Sequence, residues 1–181
     1  YYSNSDLSWG VYTSRGWTYP NLVTYMESHD EERQMYKCLK YGASNGGYTT
    51  KDSTTALRRA ALTATFFYTL PGPKMLWQFG ERGYDYSINY PTYTNDSRLA
   101  QKPPRWDYMK NDKRVYLYDL VSSLIKLHQE NPVFESTDFS LSLSGALKKI
   151  RLRNDTASMV VLGNFDVKAG SINPEFYNTG K

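Results

Sequence analysis

The sequence predicts an α/β fold followed by a smaller antiparallel β domain. Two short apolar segments, LVTYM (residues 22–26) and KMLWQF (residues 74–79), each precede a long loop and a helical pattern. This order is typical of parallel α/β units. From residue 134 onward, apolar and polar residues alternate instead, which indicates strands with one solvated face. The 181 residues are 40% hydrophobic, which is enough for one core with a small appendage.

The first half of the chain is justified element by element from local signals. Residues 1–20, rich in Tyr, Ser, Asn and Gly, predict irregular structure, and LVTYM predicts a buried strand. Residues 42–55 predict a loop. A helix is expected to begin at Asp52 or Ser53, because apolar residues then recur at helical spacing, and to end before Pro71-Gly72-Pro73.

The second half continues with KMLWQF as another buried strand and with a long, irregular aromatic segment from Tyr84 to Tyr108. Asp112 predicts the start of a second helix, which Asn131-Pro132 ends. We therefore expect one domain at residues 1–133 and another at residues 134–181.

The second domain is predicted to contain strands at FSLSLSG, KKIRLR and MVVLGNF. Phe139, Leu141 and Leu143 share one face of the first of these strands. Ile150 and Leu152 oppose the arginines of the second strand, and the basic residues of this region are interpreted as solvated charge.

Composition excludes several classes of function. The 22 basic and 18 acidic residues give a net charge of +4, but the basic residues are scattered, so nucleic-acid binding is not predicted. The longest apolar stretch, ALTATFFYTL, is too short and too polar to span a bilayer. A single cysteine, Cys38, leaves the redox compartment open.

The segment ESHDEER concentrates acids around one histidine directly after LVTYM. Spacing alone allows a bland interpretation, in which Ser28 and Glu31 form a capping box at a helix start. The other interpretation is a pocket edge, since functional residues in α/β barrels follow the carboxyl ends of strands. His29 has no second histidine at ligand spacing, so no metal site is predicted.

A longer stretch of sequence resembles the α-amylase superfamily, family 13 of the glycoside hydrolases. Ser28-His29-Asp30 is similar to the family motif after the seventh barrel strand, Pro71-Gly72 to the following turn and Gly80-Glu81 to the end of the eighth strand. KPPRWDY (residues 102–108) and the antiparallel tail are also similar to family segments. The resemblance implies the last two βα units of a TIM (β/α)8 barrel, followed by part of an antiparallel β-sandwich.

The same resemblance implies roles for individual residues. Asp30 would be the catalytic carboxylate that stabilises an oxocarbenium-like transition state, and His29 would hydrogen-bond to the same sugar ring. The outer subsites would be lined by a further set, for which a purely structural loop remains the alternative: Glu81, Tyr84, Asp85 and Tyr86. Trp77 is assigned to the core instead.

The implied activity is that of a retaining glycoside hydrolase that cleaves α-1,4-glucosidic bonds in starch, glycogen or maltodextrins. The alternatives are a transglycosylase or branching enzyme of the same family and a non-catalytic glucan-binding module. The family's nucleophile and general acid/base would precede Tyr1, so the chain is interpreted as a fragment of a larger enzyme, inactive alone.

The expected partner is an α-glucan oligo- or polysaccharide, together with the missing half of the barrel. Open sheet edges also predict self-association of the fragment. No cofactor is expected in this chain, whereas the resemblance allows calcium in the complete enzyme through segments outside it. The richness in Tyr, Asn and Ser favours an extracytoplasmic location, whether periplasmic, on the cell surface or secreted.

Overall fold

The computed structural model describes residues 6–177. These residues contain three α-helices and five short strands. This part of the chain divides into two compact units. The first, the sheet unit, comprises residues 6–24, 65–74 and 124–177, and the second, the loop unit, comprises Tyr25–Ala64 and Met75–Ser123. The predicted domain boundary at residue 133 lies inside the sheet unit and stays a prediction, and the outer ends of both predicted domains, residues 1–5 and 178–181, lie outside the described residues.

Both predicted helices are confirmed. Helix α2 spans Ser53–Thr69 and helix α3 spans Asp112–Glu130. The Asp52 carboxylate accepts a hydrogen bond from the backbone N–H of Thr55 at 2.8 Å, which satisfies a donor at the first turn of α2. A shorter helix, α1 at Gln34–Tyr41, was not predicted.

The predicted loop at residues 42–55 contains a small hairpin. Strands β1 (Ser44–Asn45) and β2 (Tyr48–Thr49) pair antiparallel across a two-residue connection. Gly46 and Gly47 have φ values of 50° and 81°, which suit the left-handed turns that match the twist of a hairpin. The loop prediction was therefore too simple at this point.

The two segments predicted as parallel strands share a single isolated bridge in the described residues. LVTYM and KMLWQF meet in one parallel bridge, Thr24 to Lys74, and the N–H of Thr24 donates to Pro73 O at 3.1 Å. A parallel strand in a sheet takes hydrogen bonds along its length from its neighbours. Each of these segments has only the other as a partner among residues 6–177, so neither develops into a strand. The barrel units stay a prediction about a longer protein.

The antiparallel strands of the tail are confirmed. Strands β3 (Asp138–Ser142), β4 (Leu147–Arg153) and β5 (Ser158–Asn164) form one sheet in the order β3-β4-β5. Ile150 pairs with Leu141 on one side and with Val161 on the other. Ile150 and Leu152 are fully buried, as the alternation predicts.

The interpretation of the basic residues as solvated is wrong for Lys149, which is buried, and most clearly for Lys148. This side chain is completely buried on the same face of β4 as Ile150. Its Nζ donates to the carbonyls of Leu143 and Gly145 at 2.5 and 2.6 Å, and burial lowers the pKa of the ammonium. The ammonium thus satisfies carbonyls at the β3–β4 turn instead of contacting water.

The loop unit has an aromatic core beneath its long irregular segment. Phe79, Tyr84 and Tyr108 form a buried cluster, against which Tyr86 packs. Gly83 lies beside this cluster with a φ of 63°. The segment from Tyr84 to Tyr108 is therefore irregular in backbone but fixed by packing. No helix within residues 6–177 has the length and apolar character required to cross a membrane.

Candidate functional site

The loop unit contains an open cavity of about 360 Å³. Its walls come from four stretches of chain: the ESHDEER segment, the end of KMLWQF, the start of the long aromatic segment and residues 98–104. The lining residues are Ser28, His29, Arg33, Trp77, Gln78, Tyr86, Ser87, Ile88, Arg98, Ala100, Gln101, Lys102 and Pro104. A cavity of this size, with mixed polar and aromatic walls, suits a small polar ligand.

A buried ion pair fixes one wall of this cavity. Arg33 donates to the Glu27 carboxylate at 3.0 Å, and both side chains are more than 90% buried. Glu27 also accepts from the backbone N–H of Gln34 at 2.9 Å, at the first residue of α1, where a carboxylate is favoured by the helix dipole. The Arg33 guanidinium lies over the ring of Tyr84 at 4.8 Å. Glu27 and Arg33 are therefore structural members of the charged segment.

Glu32 links the charged segment to the opposite wall. Its carboxylate accepts from the hydroxyl of Ser87 at 2.7 Å and from the backbone N–H of Ile88 at 2.9 Å. Both partners line the cavity. Glu32 therefore also has a structural role, because it connects two walls of the cavity.

His29 faces an aromatic neighbour in the cavity wall. The imidazole ring of His29 lies 5.7 Å from the indole of Trp77, measured between ring centroids. His29 is exposed, so its imidazole is accessible to a ligand. The assignment of Trp77 to the core is wrong, because this side chain is only partly buried and lines the cavity.

Asp30 is one of two acids of this segment that remain exposed, together with Glu31. Its side chain is 65% exposed and lies 3.5 Å from Nε2 of His29. Arg98 donates to its carboxylate at 3.1 Å. His29 and Arg98 line the cavity, whereas Asp30 itself does not, so its carboxylate adjoins the cavity through its contacts with these two neighbours.

Among the described residues, those that line the cavity include three Lys or Arg cations and no carboxylate. Arg33 is neutralised by Glu27, and Arg98 by Asp30. The Nζ of Lys102 donates to the carbonyls of Ser97, Arg98 and Ala100 at 2.9, 3.0 and 2.7 Å, and burial lowers the pKa of this ammonium. Lys102 therefore shapes the backbone at residues 97–100.

The four residues assigned to outer subsites lie in different environments. Tyr86 lines the cavity, and its hydroxyl accepts from Arg105 at 2.8 Å. Tyr84 is buried in the aromatic core and donates to Pro103 O at 2.7 Å, and burial raises its pKa to about 12.

Asp85 and Glu81 have internal partners and do not line the cavity. Asp85 accepts hydrogen bonds from the Tyr108 hydroxyl and, at 2.7 Å, from Arg114. The Glu81 carboxylate lies 3.2 Å from Nε of Arg82. The cavity thus brings together His29 and Tyr86, with Asp30 adjoining them, and their roles stay predictions.

The capping-box interpretation is wrong, although Ser28 and Glu31 do contact each other. The Ser28 hydroxyl does donate to the Glu31 carboxylate, and it accepts from the N–H of Asp30 at 3.1 Å. No helix begins there, however, because α1 starts at Gln34. Among residues 6–177, no group of three or more His, Cys, Asp or Glu side chains has an arrangement that could hold a metal ion.

Sequence reasoning missed most of the cavity wall, including Trp77, which lies against His29, and Arg98, which contacts Asp30. Trp77 precedes Gly80-Glu81 at the end of KMLWQF, a strand-end position that in itself signals a functional location. Arg98 contacts Asp30 across 68 residues, and no local pattern marks it. Only the folded chain reveals that pairing.

No protein-family model matches this chain, and no curated protein sequence matches it. Among solved structures, the α-amylase GTA from Geobacillus thermoleovorans, complexed with acarbose, is similar over 79% of this chain, with 14% identity and a TM-score of 0.55. The α-amylase from H. orenii is similar over 78% of this chain, with 21% identity and a TM-score of 0.47, too low to support an inference.

The chain spans only 27% and 29% of the length of these two amylases. At 14% identity, the first likeness concerns the fold alone. The described fold is therefore similar to part of an α-amylase, which agrees with the resemblance in sequence at this coarser level.

Proposed function

We propose that this chain is part of a retaining glycoside hydrolase of the α-amylase family that cleaves α-1,4-glucosidic bonds in starch, glycogen or maltodextrins. One observation carries the proposal: a His-Asp pair adjoins an open cavity in a chain whose fold is similar to part of an α-amylase. The similar amylase was solved in complex with acarbose, which makes a carbohydrate the natural ligand class to test.

In this proposal Asp30 acts through its negative charge. A retaining glycosidase needs a nucleophile and a general acid/base about 5 Å apart, and the transition state between them carries positive charge on the sugar ring. The nucleophile and the acid/base would come from other parts of the protein. Asp30 would stabilise the cationic ring, and the exposed imidazole of His29 would bind a sugar hydroxyl.

The aromatic walls would supply the remaining contacts. Trp77 and Tyr86 offer partly exposed ring surfaces, each with one polar atom, which suits a sugar with apolar faces and polar edges. We assign Tyr84 and Asp85 a supporting role, because their polar atoms already have partners inside the protein. Glu81, which is ion-paired with Arg82, is proposed to lie near an outer subsite.

Turnover by the full-length protein on maltoheptaose tests the proposal. We expect hydrolysis by the wild type and a fall in kcat of at least about 100-fold in Asp30→Asn, because the charge on the transition state loses its partner. The melting temperature should not change, since the Asp30 side chain is 65% exposed. Asp155→Asn, at another exposed aspartate, is the matched control. Near-normal turnover of Asp30→Asn would contradict the role of Asp30.

A second candidate is a non-catalytic glucan-binding module. It is favoured by the absence of any carboxylate among the residues that line the cavity and by the pairing of Asp30 with Arg98. A full-length protein that binds maltoheptaose without cleaving it would support the module. The transglycosylase or branching alternative predicts products longer than the substrate, which chromatography of the same reactions would detect.

A further inference from the structure

Four tyrosines form a continuous series of ring contacts that starts in the aromatic core of the loop unit. The ring centroids of Tyr84 and Tyr86 are 5.5 Å apart, those of Tyr86 and Tyr90 are 4.8 Å apart, and those of Tyr90 and Tyr93 are 6.1 Å apart. Exposure increases along the series, from 2% at Tyr84 to 58% at Tyr93. We call Tyr86, Tyr90 and Tyr93 the tyrosine track.

The inner end of the track belongs to the cavity. Tyr86 lines the cavity, and its hydroxyl accepts from Arg105 at 2.8 Å. Arg105 is itself held by Asp107 through two hydrogen bonds of 2.8 and 2.6 Å. The Arg105 guanidinium also lies over the Tyr86 ring, 5.3 Å from its centroid. The position of the Tyr86 ring is therefore fixed by Arg105.

The outer end of the track is ordered as well as exposed. The N–H of Tyr90 donates to Ser87 O at 3.1 Å, and the N–H of Tyr93 donates to Asn89 O at 2.6 Å. Tyr93 has a φ of 60°, a conformation that non-glycine residues adopt only where the surrounding structure imposes it. The loop thus holds an aromatic ring at the surface.

Successive rings meet almost at right angles, with interplanar angles of 79° for Tyr86–Tyr90 and 88° for Tyr90–Tyr93. In an edge-to-face pair, only one ring face is covered by its neighbour. Tyrosine combines a flat apolar face with a hydroxyl that both donates and accepts, which complements the apolar faces and polar rim of a pyranose ring.

We propose that the tyrosine track is an extended subsite for an oligosaccharide, which carries further sugar units of a longer glucan from the cavity out to Tyr93. The inference rests on the proposed function, since it assumes a glucan in the cavity, and it adds a preference for long chains. Tyr90 and Tyr93 are the residues that it newly assigns to ligand binding.

Affinities for a short and a long ligand test the track. Dissociation constants for maltotriose and maltoheptaose are measured by calorimetry on the full-length protein carrying Asp30→Asn, so that neither sugar is consumed. In this background we expect maltoheptaose to bind more tightly than maltotriose. Adding Tyr93→Ala should weaken maltoheptaose binding by about two- to tenfold, the range that one aromatic contact contributes, and leave maltotriose unchanged.

Two further variants separate the ring from other effects. Tyr93→Phe keeps the ring and should retain tight maltoheptaose binding. Tyr116→Ala removes another exposed tyrosine, 62% exposed on α3 and outside the track, and should change neither affinity. Melting temperatures of all variants establish that they are folded.

Each outcome has a defined meaning. Equal affinity for the two sugars before Tyr93 is changed, or equal effects of Tyr93→Ala on both sugars, would overturn the track while the glucan site stands. Binding of neither sugar would overturn the proposed function and the track with it. A loss confined to maltoheptaose supports the track.

Discussion

Arg98 contacts Asp30 at two places with one nitrogen atom. Its Nη2 donates to the backbone carbonyl of Asp30 at 2.6 Å and to the carboxylate at 3.1 Å. The backbone contact fixes the guanidinium next to the residue, so the carboxylate has a charged partner in a defined place. Because Arg98 also lines the cavity, it connects the orientation of Asp30 to the cavity wall.

We predict that Arg98→Gln in the full-length protein lowers kcat by about tenfold on maltoheptaose and changes KM less, because a misoriented carboxylate stabilises the transition state poorly. Arg98→Lys should recover part of the loss. The melting temperature should stay the same, since exposed ion pairs contribute little to stability. Arg58→Gln, at an exposed arginine outside the cavity, is the control. An unchanged kcat in Arg98→Gln would refute this role.

The pair of Glu27 and Arg33 predicts a large effect on stability. Glu27→Gln leaves the Arg33 guanidinium buried without its counter-charge, so we expect the free energy of unfolding to fall by about 3 kcal/mol. Glu130→Gln breaks an exposed ion pair with Lys126 and should cost less than about 0.5 kcal/mol. Denaturant titrations of the full-length variants compare the two. Similar small losses in both would contradict the structural role of Glu27.

Substitution of Gly83 should cost more stability than substitution of a glycine that has only a conformational constraint. In Gly83→Ala, the new Cβ would lie 2.6 Å from Cδ2 of Leu57 and 3.1 Å from Cγ of Met35, at a φ of +63°. We expect a loss of about 3 kcal/mol from overpacking and backbone strain together. Gly47→Ala has a φ of +81° with no atom within 4 Å of the new Cβ, so it should cost only about 1 kcal/mol.

Thermal unfolding of both glycine variants in the full-length protein checks this difference. Equal losses would mean that the contacts of Gly83 contribute nothing beyond the conformational cost. A smaller loss in Gly83→Ala than in Gly47→Ala would be incompatible with the packing around Leu57.

The buried ammonium of Lys74 predicts that the stability of the protein changes with pH in the alkaline range. Burial lowers the pKa of its ammonium from 10.5 to about 8, although its Nζ donates to the carbonyls of Leu70, Pro71 and Gly72. Between these two pKa values the unfolded chain binds more protons than the folded chain, so the Lys74 contribution to stability increases with pH. Below pH 8 both states are protonated, and the cost of burying the charge is present in full.

The difference in unfolding free energy between wild type and Lys74→Met isolates this effect. We expect that difference to shift in favour of the wild type between pH 7.5 and 10, whereas Lys126→Met, at an exposed lysine, should give a constant difference. A constant difference for Lys74→Met would show that its ammonium does not titrate in this range, and an oppositely directed one would show that folding raises its pKa.

The elements that sequence analysis predicted correctly are those whose signals lie within a few residues. Helices α2 and α3 combine an apolar repeat with a polar start and a proline end, and all three signals are local. The apolar and polar alternation that predicts β3 is local too, and β3 alternates between half-buried and exposed residues as expected. Helix α1 is only eight residues long, so its periodicity is too short to recognise.

The failures concern interactions between distant residues. LVTYM has the composition of a strand, but pairing depends on neighbouring backbone, and only the bridge from Thr24 to Lys74 is available in the described chain. Lys148 is charged, yet two carbonyls at a turn satisfy its ammonium, so the usual expectation of exposure does not apply. Hairpin β1–β2 had a local signal, the Gly-Gly pair directly before the strand formers Tyr48 and Thr49, which was not used.

The site residues, too, could be predicted only where their signal lies within a few residues of sequence. The ESHDEER cluster and its position after an apolar segment could be recognised in the sequence, and His29 does line the cavity. Which of its acids are structural could not be recognised, because the partners of Glu32 and Asp30 lie more than 50 residues away. The partners of Glu32 and Asp30 are set by the folded chain, whereas Glu31 takes its partner, Ser28, from the same segment.

The indole of Trp77 gives the cavity a built-in optical reporter. It lines the cavity beside His29, and indole emission responds to the polarity of the medium around the ring. A solute that expels water from this wall changes the fluorescence of Trp77, so occupancy can be followed without a dye or an enzymatic assay. Replacement by phenylalanine removes that signal and leaves the emission of Trp9, Trp17 and Trp106 as background.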